Sequence, residues 1–86
     1  MVTVYVLRSL VADKRYTGMS KDVQNRLNEH NQGKNRYTKA FMPWEIIYVE
    51  ELPNWQVARI REKYLKSASG RKWLDTRLQN GGSLPA

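Results

Sequence analysis

Apolar positions alternate at the start of the chain, where Val2, Val4 and Val6 are separated by Thr3 and Tyr5, the period-two pattern of a β-strand. A turn-like stretch from Ser9 to Asp13 leads to a second short strand over residues 14–19, so this segment reads as a hairpin that sets Tyr5 and Tyr16 on neighbouring strands. Ser20 as N-cap, Asp22 in the first turn and Gly33 as the C′ residue predict a helix over residues 21–32. Residues 33–42 follow as a basic loop. After Pro43, a strand over residues 44–51 is apolar through Ile46, Ile47, Tyr48 and Val49, a two-sided character expected of a central strand. Pro53-Asn54 ends it and opens a helix over residues 55–67. Ser69-Gly70 is expected to break the chain before a third helix over residues 71–79, and residues 80–86 have the composition of a loose tail. The order is ββαβαα. It describes one α+β domain over residues 1–79, a small three-stranded sheet flanked by helices.

Helical spacing of about 100° per residue then places the polar groups. In the first helix only Val23 and Leu27 are clearly apolar, and Arg26 and His30 fall on their side as i,i+4 neighbours. Either Arg26 lays its methylenes over the core and His30 is a satisfied core histidine, or both face a site. In the second helix Val57, Ile60, Tyr64, Leu65 and Ala68 make the expected inward stripe, with Glu62 at its border beside Ala58. A border carboxylate either pairs with Lys66 at i,i+4 or holds a single metal ion whose other positions are filled by water and phosphate. Arg61 lies in the middle of the stripe and requires an acidic or carbonyl partner. Tyr48 and Tyr64 read as packing residues. Tyr37, between Arg36 and Lys39, is either a loop anchor or a ring on which an unpaired base stacks.

Composition narrows the chemistry. A chain of 86 residues buries only about 60–65% of its unfolded surface, which favours a shallow site over a deep pocket. No apolar run approaches the roughly 18 residues that cross a bilayer, and no signal or lipidation box is present, so a cytoplasmic protein without a membrane partner is expected. The absence of cysteine removes disulfides, thiolate zinc sites and thiol nucleophiles together, and a single histidine, His30, excludes a histidine-rich metal cage. Any metal is therefore hard and oxygen-bound, such as Mg²⁺. Lys and Arg number 15 against 8 Asp and Glu, a formal charge of +7. Two basic flanks surround an acidic strand carrying Glu45, Glu50 and Glu51. Such a balance points to a polyanion, most often nucleic acid, with Lys34, Arg36, Lys39 and Lys66 as phosphate contacts that do not read sequence.

Taken together, Tyr5 in Thr3-Val4-Tyr5, Tyr16 and Gly18 in Tyr16-Thr17-Gly18, Arg26, His30, and Glu62 in Ala58-Arg59-Ile60-Arg61-Glu62 resemble the GIY-YIG nuclease superfamily. The resemblance is nearest to its small, single-domain, excinuclease-C-like members and runs from Val2 to Leu74. Thr3 stands for the first glycine, Thr17 for the isoleucine, and Met19 where many excinuclease-type members carry lysine; no asparagine lies between Asn54 and Asn80 to match a late site asparagine. The resemblance implies that the tyrosines, the arginine and the glutamate converge on one shallow surface. Glu62 would be the sole protein ligand of Mg²⁺ or Mn²⁺, and Arg26 would neutralise charge on the phosphorane. Tyr5 would orient or deprotonate the attacking water, Tyr16 would complete the hydrogen-bond network, and His30 would hold or relay a proton. The implied activity is single-metal hydrolysis of DNA without a covalent intermediate, structure-specific and serving repair or processing. A recruiting protein partner is left open. The alternatives are a non-catalytic nucleic-acid-binding module on the same fold and an interaction domain with an incidental basic face.

Overall fold

A computed structural model describes residues 1–79, and the tail read over residues 80–86 lies outside them. Strand β1 (Val2–Ser9) pairs antiparallel with β2 (Arg15–Ser20) on one side and with β3 (Trp44–Leu52) on the other, giving the sheet order β2-β1-β3. The central strand is therefore β1, and β3, expected at the centre, is an edge. Its two-sided apolar run has another cause. Val6 stands opposite Tyr48 and Leu7 opposite Ile46, so Ile47 is an extra residue at a bulge. The bulge flips the alternation, and Ile46 and Val49 share one face while Ile47, Tyr48 and Leu52 share the other.

Each face of the sheet carries its own core. Val2, Val4 and Val6 pack with Tyr48, Ala58, Leu65 and Leu74 beneath helices α3 (Trp55–Lys66) and α4 (Ala68–Gln79). Tyr5, Leu7 and Trp44 form the second core with Val23 and Leu27 of α1 (Val23–Asn31), as the spacing predicts. This face is closed by a single turn, α2 (Arg36–Lys39), inside the stretch expected to be a loop. Asn35 starts that turn, its side chain accepting the N–H groups of Tyr37 and Thr38. The fold is thus ββαβαα with one added turn.

Two helix starts also move. Asp22, not Ser20, caps α1 by accepting the Asn25 N–H, while the Ser20 hydroxyl accepts the Asp22 N–H. The break before α4 falls at Ser67, whose extended backbone (ψ 164°) separates it from α3, and Ser69-Gly70 lies inside α4. Gly70 is needed there because a Cβ would run into the Tyr64 carbonyl, so the two helices touch backbone to backbone.

Helix α3 presents a different side from the expected stripe. Ala58 and Leu65 are buried, whereas Val57, Ile60 and Tyr64 are 39%, 71% and 36% exposed. The helix is turned by roughly 90° about its axis. Arg61 supplies the reason. Its Nε lies 3.1 Å from the Glu50 carboxylate, its guanidinium sits 4.5 Å from the Trp73 ring centroid, and the Tyr48 hydroxyl donates to the same Glu50 at 2.6 Å. The required acidic partner exists, and it holds Arg61 at the flank of the core. The rotation carries Glu62 inward. It also leaves Tyr64 at the surface under Arg61 rather than packed in the core.

Gly70→Ala is expected to lower stability by about 2 kcal/mol or more, since the added methyl meets backbone that cannot step aside. Chemical denaturation of the variant checks this; an unchanged midpoint would contradict the close approach of α3 and α4.

Candidate active site

Tyr5 occupies the middle of the central strand, 1% exposed, directly opposite Gly18 on β2. A Cβ at position 18 would stand 2.7 Å from the Tyr5 Oη and 3.1 Å from Tyr16 Cε1. The Tyr5 ring therefore lies across the glycine and beside Tyr16, with ring centroids 6.3 Å apart. Only a residue without a side chain permits this crossing.

Helix α1 brings His30 against both rings, 4.8 Å from Tyr16 and 6.2 Å from Tyr5 by centroid. Its Nε2 lies 3.2 Å from the Tyr5 hydroxyl and its Nδ1 2.8 Å from the Thr38 hydroxyl. Thr38 is fully buried on α2, and its carbonyl accepts the Trp44 indole N–H at 2.8 Å. The neighbouring Asn31 clamps the Trp44 backbone, accepting its N–H at 2.7 Å and donating to its carbonyl at 3.1 Å. The start of β3 thus fixes both α1 and α2. Neither Thr38 nor Asn31 is among the residues singled out from the sequence. The usable signal was Asn35, a strong cap residue inside an apparent loop.

His30 links two buried hydroxyls, Thr38 at Nδ1 and Tyr5 at Nε2, and a neutral imidazole donates through one of these nitrogens and accepts through the other.

Charge surrounds this pair. Burial first, and then Tyr16 alongside, push the Tyr5 phenol up to about 12; the Arg26 guanidinium pulls it back, and the Glu62 charge adds a smaller upward push. Tyr16, Arg26 and Glu62 consequently all act on one oxygen. Burial, followed by the Arg26 charge, lowers the His30 pKa, so the imidazole is neutral at pH 7. Arg26 is held as a cation chiefly by Glu29, 3.1 Å from its Nη1. Its side chain is 48% exposed, so its place beside the core leaves the guanidinium at the surface, next to Tyr5. The Glu62 side chain is 16% exposed with Lys66 Nζ 3.6 Å away, so the i,i+4 pair and the place near Tyr5 coexist.

The residues read as phosphate contacts divide. Tyr37 has its ring centroid 6.5 Å from Tyr16, and Tyr37 and Lys66 line a cavity that adjoins the site. Lys34, Arg36 and Lys39 are exposed around α2 and do not line it. No helix among the described residues is long and apolar enough to cross a membrane.

Gly18→Ala is expected to break the Tyr5–His30 contact and to cost about 1–3 kcal/mol, read by thermal unfolding together with the NMR shifts of the Tyr5 ring. A second expectation concerns pH. The native state keeps His30 neutral, whereas the unfolded chain takes up the proton at about pH 6.5, so stability declines as pH falls through that value. Melting temperature should drop between pH 7 and 5.5, and His30→Gln should flatten that slope. An equal slope in the variant would contradict a buried neutral imidazole.

Residues 1–75 match the GIY-YIG catalytic domain. A UPF0213 protein of Natronomonas pharaonis is 36% identical over 70 residues, covering 80% of this chain and 81% of that protein. Another, from Syntrophus aciditrophicus, is 34% identical over 80 residues, 90% of each chain. A UPF0213 protein of Streptococcus agalactiae is 42% identical over 52 residues, a match that spans 59% of its length. The solution NMR structure of a UPF0213 protein from Bacillus halodurans superposes with a TM-score of 0.55 at 30% identity, covering 95% of this chain and 88% of that one. With residues 1–75 matching its catalytic domain and Tyr5 and Tyr16 packed beside Gly18, the chain belongs to the GIY-YIG nuclease superfamily.

Proposed function

We propose that the protein is an endonuclease that hydrolyses DNA phosphodiester bonds with a single Mg²⁺ or Mn²⁺ ion. The observation that carries this reading is the packing of Tyr5, Tyr16 and His30 beside Gly18, with the charges of Arg26 and Glu62, from two different helices, both acting on the Tyr5 hydroxyl. The basic composition supports a polyanionic substrate, and the resemblance to excinuclease-type proteins supports a place in DNA repair or processing.

The donor set fits a hard cation. No cluster of three His, Asp or Glu groups exists among the described residues, so Glu62 would hold the ion as its one protein ligand, with Lys66 giving way. Mg²⁺ commonly keeps several waters and one or two carboxylates beside phosphate oxygens. When bound, it would supply Lewis-acid stabilisation of the phosphate and of the departing oxygen.

The chain's own groups divide the remaining work. Arg26 faces the reacting phosphate with a planar, permanently charged fork suited to charge that grows there. Tyr5 is protonated at pH 7, so it first orients the attacking water through its hydroxyl. It can take the proton only when positive charge gathered beside it lowers its pKa. His30 touches the Tyr5 hydroxyl through Nε2 and ties it to Thr38, holding the phenol in place. Tyr16 holds the two rings in place. The exposed Lys34, Arg36, Lys39 and Lys66 attract the backbone, and Tyr37 offers a ring for base stacking.

Glu62→Gln and Tyr5→Phe are each expected to reduce Mg²⁺-dependent cleavage by about 10²-fold or more, with metal-free DNA affinity nearly unchanged. A nuclease panel of single-stranded, branched and duplex DNA, run with and without divalent metal, checks this. Cleavage that persists in purified Glu62→Gln would refute the assignment. DNA binding without cleavage by the wild type would instead mark a binding module.

A further inference from the structure

A groove of about 690 Å³ runs along the free edge of β2, between the hairpin and the α3–α4 pair. Val6, Leu65 and Leu74 lie beneath it, each no more than 2% exposed, and its accessible lining is mostly polar. Its rim carries Lys14, Arg15, Lys66 and Arg71 against Asp13 and Asp75. Arg15 is committed to Asp75 at 2.6 Å, and Lys14 lies 5.6 Å over the Phe41 ring. Arg71 has no acidic partner within 4.0 Å among the described residues. The volume falls within the range of about 300–1,000 Å³ typical of sites for small organic ligands.

Two walls of the groove belong also to the candidate active site. Tyr16 stands on its rim with its ring against His30, and Tyr37, 51% exposed, extends the aromatic wall outward. Lys66 links the groove to Glu62. The groove therefore begins where the candidate active site ends. Flat rings on one side and cations along a mostly polar lining suit a ligand that joins a planar ring system to an anion. A peptide carboxylate supplies the charge but has no use for the aromatic wall.

We infer that this groove seats the nucleotide adjoining the phosphate that is cut, its base against Tyr37 and Tyr16 and its phosphate on Arg71 and Lys14. The inference rests on the nuclease reading for which nucleotide this is, though not for whether one binds. Arg71 and Lys14 thus fix the substrate's position, whereas Lys34, Arg36 and Lys39, outside the groove, attract the backbone at longer range.

The test is a titration of the isotopically labelled full chain with the dinucleotide pTpT, without divalent metal, followed by amide shifts. The expected shifts fall on Thr17, Tyr37, Leu65, Arg71 and Leu74. Arg71→Glu, at an exposed position, should weaken pTpT binding about tenfold or more and raise KM for an oligonucleotide while kcat stays within about twofold. Shifts confined to the outer face of α2, no shifts at all, or unaltered affinity in Arg71→Glu would overturn the groove assignment. Groove shifts from a wild type that cuts no DNA would uphold the seat and defeat the nuclease reading. Cleavage with a silent groove would do the reverse.

Discussion

Everything at the candidate site depends on one crossing, the Tyr5 ring over Gly18. A tyrosine in the middle of a central strand would ordinarily be sealed in a core, and Tyr5 nearly is. Its hydroxyl stays in contact with the site's polar groups because the residue paired opposite has no side chain. Burial raises the phenol's pKa and so keeps it protonated, while its oxygen touches His30 and feels the charges of Arg26 and Glu62. The same crossing thus sets both geometry and protonation.

A second constraint acts from the far side of the sheet. Arg61 is drawn to Glu50 and stacked on Trp73, which turns α3 about its axis and brings Glu62 toward the sheet. The backbone contact at Gly70 holds α4 against that orientation. Residues with no part in the chemistry therefore decide where the acidic group stands. On the opposite face, the Thr38–His30–Tyr5 chain carries hydrogen-bond order from the start of β3 to the phenol.

Much of this was legible in the order of residues. Alternation in β1, the cap and glycine signals around α1, and the tyrosine, glycine and arginine spacing all point to the observed elements, because each rests on local backbone preferences. The misplaced features rest on long-range terms instead. The edge position of β3 depends on which strand the hairpin leaves in the middle, and its misleading apolar run depends on a bulge at Ile47. The rotation of α3 depends on an ion pair eleven positions away in sequence, against an apolar stripe that alone favours an adjacent side. Thr38 was invisible for a related reason: its importance comes from a histidine on another helix. Arg26 shows the limit of helical wheels, since its position beside the core was right while its guanidinium reaches the surface.

The central claim is that Glu62 and the Tyr5 hydroxyl border one small spot able to take a divalent cation. Paramagnetic broadening of amide signals by dilute Mn²⁺ tests it directly, without relying on turnover. Broadening centred on Glu62 and on the Tyr5–Gly18 pair, and abolished in Glu62→Gln, is the expected result. Broadening centred on Glu50 and Glu51, or unaffected by that substitution, would contradict it.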